Sequence, residues 1–128
     1  MKIDISVGEL VDKVTILSIK LEKIFNPEKL KNIQNEYEKL IKPMQDCGIA
    51  IDSEDFRQLK NVNLKLWNIE DQIRIKEAGK AFDAEFIELA RSVYFTNDDR
   101  ADIKKRINLA YNSDLVEEKE YVDYKNKA

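Results

Sequence analysis

The sequence predicts an all-α fold, a single domain over residues 1–128 built as a bundle of about five helices that opens with an antiparallel helix hairpin. Three observations carry that prediction. Apolar residues recur at spacings of three and four over long runs, the period that collects them on one face of a helix. Gly and Pro number only three and two in 128 residues, so helix breakers are few and their positions are informative. Charged residues make up 37% of the chain, which suits helices that each keep one solvated face rather than the alternating pattern of sheets.

Met1–Ile5 alternates apolar and polar residues, and Ser6-Val7-Gly8-Glu9 then reads as a capping box, with the Ser hydroxyl and the Glu carboxylate each satisfying a free backbone amide. Val7, Leu10, Val14, Leu17, Leu21 and Ile24 continue at helical spacing and mark a helix to about Phe25. Ile16 and Ile19 fall off that seam, so this helix is either central in the bundle or partly covered by another subunit. Asn26-Pro27 ends it and starts the next as N-cap and first helical residue. Leu30, Ile33, Tyr37 and Leu40 supply a matching stripe, and Pro43 predicts a stop near Ile41. Ile49 and Ile51 alternate as Ile3 and Ile5 do, which leaves open a minimal two-stranded β pairing or two loops tucking Ile side chains under the bundle.

Ser53 caps a central helix ended by Gly79, with Leu59, Val62, Leu66, Ile69 and Ile73 as its core stripe. A neighbouring stripe on the same helix, Asn63, Trp67, Glu70, Arg74 and Glu77, mixes an indole, an amide and both charges. Asp83 then caps a helix to Tyr94 or Phe95, with Phe82 placed to staple onto Ile87. Thr96 or Asn97 caps a further helix carrying Asp98, Asp99 and Asp102 early and Lys104, Lys105 and Arg106 late, the polarity that suits the helix dipole. Asp114–Ala128 reads as a short helix, a docking tail or a frayed end.

Composition also excludes functions. With no His there is no imidazole base and no His-containing zinc site, and one cysteine, Cys47, makes no intramolecular disulfide. A net charge of −3 supplies no positive field for nucleic acid or an anionic membrane, and no apolar run reads as a signal or a span, so a cytoplasmic protein without nucleic-acid or membrane partners is expected.

Three blocks, Ile5–Ile24, Leu66–Arg74 and Phe86–Asn108, resemble a family of small bacterial and phage-encoded proteins classed only as a domain of unknown function. The resemblance covers nearly the whole chain. It implies no activity, cofactor or catalytic residue, and only a loose association with surface-polysaccharide assembly genes. A separate pattern, Glu85-x-x-Glu88 followed by Asp99-x-x-Asp102, is similar to that of the all-helical nucleotide pyrophosphohydrolases of the MazG type. Here the second couple starts with Asp rather than Glu, and the gap between the couples is shorter. That resemblance implies Mg²⁺ held by Glu85, Glu88, Asp99 and Asp102 for hydrolysis of a nucleotide or nucleotide-sugar phosphate.

The residues point first to a different reading, a non-enzymatic interaction or accessory module without a cofactor. It would act through exposed faces of the first and central helices, Ile16 and Ile19 with Asn63, Trp67, Glu70 and Arg74, and pair with itself as a homodimer. Arg91, Tyr94, Asn97 and Arg100 form a second candidate polar surface, suited to an anionic sugar or phosphate.

Overall fold

The computed structural model describes residues 1–125; the end of the expected Asp114–Ala128 segment, residues 126–128, lies outside the described residues. Within them the protein is all-α, with four helices and no strand: α1 (Val7–Lys23), α2 (Pro27–Asp46), α3 (Glu54–Ala78) and α4 (Ala84–Ala110). Among the described residues no helix is long and apolar enough to cross a membrane.

Every helix starts where its capping residue predicts. Ser6, Asn26, Ser53 and Asp83 accept side-chain hydrogen bonds from the backbone N–H of Glu9, Lys29, Phe56 and Phe86 at 3.1, 3.1, 3.2 and 2.9 Å. The capping box at Ser6 is only half made, because the Glu9 carboxylate turns to Lys104 Nζ at 2.6 Å instead of back along its own helix. Phe82 packs edge-on against Phe86, with ring centroids 5.2 Å apart, while Ile87 stays exposed, so the predicted staple takes a different partner. Gly79 closes α3, and the left-handed residue that turns the chain is Lys80, at φ 51°.

α1 is the hub. It packs against α2 on one side and against both α3 and α4 on the other, and Leu10, Val11, Val14, Leu17 and Ile19 are all buried. α2 folds back antiparallel on it as expected, placing Tyr37, Leu40, Ile41 and Met44 against the core around Leu10, Val11 and Val14. Contrary to the predicted stop near Ile41, α2 continues through Pro43 to Asp46. The reason is Met44, which is 0% exposed and holds the last turn in the core, while Cys47 N still donates to the Pro43 and Met44 carbonyls at 3.1 Å. Pro43 nevertheless removes one hydrogen bond from the helix and crowds the carbonyl four residues back. Pro43→Ala is expected to raise stability by about 1 kcal/mol, less than in a helix interior because only the last turn is affected; thermal unfolding of the variant checks this.

No strand joins the two isoleucine segments. Ile49 tucks fully under the bundle, whereas Ile3 and Ile51 stay exposed. The larger departure concerns the C-terminal half. The two shorter helices expected there are one helix of 27 residues, in which Thr96 is buried mid-helix rather than capping. α4 lies antiparallel beside α3, tied by Tyr111 Oη to Asp55 at 3.4 Å, by Arg106 to Gln58, and at the far end by Lys76 to Asp83 and Glu85 at 3.0 and 3.2 Å. Lys104 is a buried residue in this helix rather than part of a solvated basic cluster at its end.

The last described residues run back along α4 without helix. Glu117 and Glu118 reach Lys104 and Lys105 at 3.4 and 3.0 Å, Lys125 reaches Asp98 at 3.4 Å, and Tyr124 sits edge-on against Tyr94 and Phe95 with its hydroxyl on Asp98. Desolvation first, then the hydrogen bond to Asp98 and that carboxylate's charge, push the Tyr124 phenol up to about 12. A raised phenol favours the docked strap fully below the ordinary value of 10.0, and that contribution is lost as pH rises toward about 12. An ultraviolet tyrosinate titration should show a late step that Tyr124→Phe removes; an unchanged titration would mean that the strap does not dock this way.

Candidate functional site

The side of α4 that faces α1 is a polar ladder. Asn97, Arg100, Lys104 and Asn108 recur at spacings of three and four, so they share a face, and α1 runs antiparallel to them with its own polar groups in register. Gly8 N donates to Asn108 Oδ1 at 2.6 Å, Lys104 Nζ to Glu9 at 2.6 Å, and Arg100 to Asp12. Gly8 is what lets the helices meet: a Cβ there would lie 2.5 Å from the Lys104 carbonyl oxygen.

Asp12 is the centre of this ladder and is 1% exposed. Its carboxylate accepts from Arg100 Nε at 2.9 Å and from Arg100 Nη2, a two-pronged pair, and from Asn63 Nδ2 at 2.9 Å. Asn63 also donates to Thr15 Oγ1 at 2.8 Å, and that hydroxyl donates to the Asp12 carbonyl at 2.7 Å. The hydrogen bond that Arg100 donates to Asp12 raises its guanidinium above its ordinary value, outweighing the desolvation that lowers it. Among the described residues no buried side-chain N or O lacks a partner, so the network joining α1, α3 and α4 is complete. It fixes the register of the three helices.

Arg100 is only half buried, and beside it the surface opens into a groove of about 240 Å³. Ile16 and Ile19 of α1, Leu66, Trp67 and Glu70 of α3, and Asn97 of α4 complete the lining, with Asn63 at its edge. The residues singled out from sequence therefore converge, with changed roles. Ile16 and Trp67 are half buried, Ile19 is fully buried beneath them, and Asn63 is committed to Asp12 and Thr15. Glu70 and Arg74 are exposed and paired to each other at 3.6 Å. Arg74 lies one turn beyond the groove, in a hollow of about 360 Å³ shared with Glu70, Ile73, Glu77 and Val93.

The four carboxylates of the metal reading are not brought together. All lie on α4, where the fourteen positions from Glu85 to Asp99 correspond to about 21 Å of helix, far beyond a shared Mg²⁺ with oxygens at about 2.1 Å. Glu85 and Glu88 instead pair with Lys76 and Arg91, each at 3.2 Å, while Asp99 and Asp102 are exposed. Among the described residues no group of three or more acids or thiols is placed to hold a metal ion. The second polar surface is partly divided: Asn97 and Arg100 line the groove, Tyr94 shares the hollow under the C-terminal segment with Asn97 and meets Tyr124 edge-on, and Arg91 is exposed against Glu88. Cys47 is exposed at the end of α2.

Asp12, Thr15 and Lys104 were not legible as partners, yet one signal was present. Asp12 precedes Ile16 and Ile19 by four and seven, so the second apolar face of α1 begins with a carboxylate. A charge on a face that must be buried requires a counter-charge from another helix.

A family model described as a family of unknown function (DUF6165) matches residues 1–126. No curated protein and no solved structure matches the chain.

Proposed function

Because the chain belongs to that family of unknown function, whose description supplies no chemistry, we propose from the site itself that the protein is a non-enzymatic interaction module. It binds a protein partner through the groove at Trp67 and the adjoining face of α3. One observation carries this reading: the α3–α4 pair is built to be covered but is covered over only half its length. The last buried side chain on α3 is Ile69 and the first on α4 is Thr96; from residue 70 to residue 95 no side chain is buried. Ile75, Phe82 and Ile87 stand 64%, 56% and 56% exposed there. Two helices alone cannot enclose a core, and the rest of the pair uses α1 as its third element. Trp67 stands at the boundary between the covered and uncovered parts, where a large amphipathic ring is best placed to anchor a partner.

A photo-crosslinking residue placed at Trp67, Glu70 or Arg74 tests this in the source cell, with Lys31 on the outer face of α2 as control. The expected result is a discrete protein adduct from the three α3 positions and none from Lys31. Adducts to no protein from any α3 position would overturn the reading.

A further inference from the structure

The groove at Trp67 has neighbours with which it shares lining residues. The groove at Trp67 shares Glu70 with the hollow around Ile73, and that hollow shares Val93 with one of about 570 Å³ under the C-terminal strap. The first two make a trough along α3 from Asn63 to Glu77, and the third lies between α4 and the strap. The α3 wall of the trough is Trp67, Glu70, Arg74 and Glu77, spaced three, four and three. This spacing reads the same in both directions about a point midway between Glu70 and Arg74, with Ile73 beside that point.

We infer that the occupant of this trough is a second copy of the chain, packed with its α3 antiparallel to the first about a two-fold axis next to Ile73. The inference rests on the binding-face reading above and names its partner. A two-fold contact uses the same patch twice, so the patch must complement itself when reversed. This one does. Reversal sets Glu70 against the partner's Arg74 and Arg74 against the partner's Glu70, closing two intrahelical pairs into a four-membered ring of alternating charge. It also sets the Trp67 indole N–H, which only donates, against the partner's Glu77 carboxylate, which only accepts. Ile73, one position from the centre, lies on the flank of the contact in both copies. The α3–α4 pairs of the two copies then meet as a four-helix bundle along the segment from residue 70 to residue 95, where no side chain is buried.

The register gives a test that does not depend on unfolding anything, since Glu70 and Arg74 side chains are 47% and 72% exposed. Sedimentation equilibrium of the full chain is expected to show a dimer. Glu70→Arg places four positive charges round the axis and Arg74→Glu places four negative ones; each alone should weaken dimerisation at least about thirtyfold. An equimolar mixture of the two should dimerise again, because each positive pair then faces a negative pair. Three outcomes would overturn the inference: a monomeric wild type at millimolar concentration, a dimer indifferent to both substitutions, or loss in both variants without recovery on mixing. A monomeric wild type that still gives crosslinks from Trp67 to another protein would sink the second copy and keep the binding face; absence of both would remove the two together.

Discussion

Asp12→Ala is expected to lower the unfolding free energy by about 3 kcal/mol, the range found when one partner is removed from a buried ion pair. The substitution deletes the acceptor of three hydrogen bonds and leaves the half-buried Arg100 guanidinium without its ion-pair partner. Desolvation of Arg100 then goes uncompensated, and this, more than the lost Coulomb energy, sets the size of the effect. The corollary separates the two causes. Adding Arg100→Met in the Asp12→Ala background should recover more than half of the loss, since apolar side chains of similar length tolerate the site once no charge is stranded. Urea unfolding of the single and double variants measures both. A loss below about 1 kcal/mol for Asp12→Ala would mean that water reaches the site and that the pair does not hold the helices in register.

Gly8→Ala is expected to cost about 2–3 kcal/mol, as overpacking in a close helix contact does. An added methyl would meet the Lys104 backbone oxygen at 2.5 Å and Asn108 Oδ1 at 3.0 Å. A backbone oxygen inside a helix of 27 residues cannot move without shifting that helix, so α4 would tilt from α1 and lengthen the Gly8–Asn108 and Lys104–Glu9 bonds. The better helix propensity of Ala offsets at most about 1 kcal/mol of this. If the variant proves as stable as the wild type in urea, α1 and α4 are not in contact at Gly8.

Much of the fold was legible because it rests on local signals. All four N-caps were readable as Ser6, Asn26, Ser53 and Asp83, since a short polar side chain before an apolar run satisfies backbone donors that nothing else reaches. The misreadings arose where tertiary packing overrode a local preference. Thr96-Asn97-Asp98 has the chemistry of a cap, but α3 packs antiparallel beside α4 with ties near both ends, and burial of Thr96 against the bundle keeps α4 continuous. That single long helix is also what separates Glu85 and Glu88 from Asp99 and Asp102. Pro43 was outweighed in the same way by burial of Met44.

The candidate site was half legible. The stripe through Trp67, Glu70 and Arg74 was visible because three-four spacing defines a face without any tertiary information. Its partners Arg100 and Asn97 lie on another helix, and only the pairing of α4 with α1 brings them to the groove. Lys104 looked like a solvated charge near a helix end because its partner, Glu9, is distant in sequence and had an evident local role in capping.

Trp67 is the only tryptophan in the chain and lines the groove, so its emission reports on that surface alone. The most direct measurement is its spectrum and its accessibility to a neutral quencher over a dilution series from millimolar to nanomolar. A shift to shorter wavelength and reduced quenching are expected as concentration rises through the association range, with Glu70→Arg holding the monomer values throughout. Emission that stays constant while sedimentation reports a dimer would place the contact elsewhere on the molecule and rule out the two-fold contact along α3.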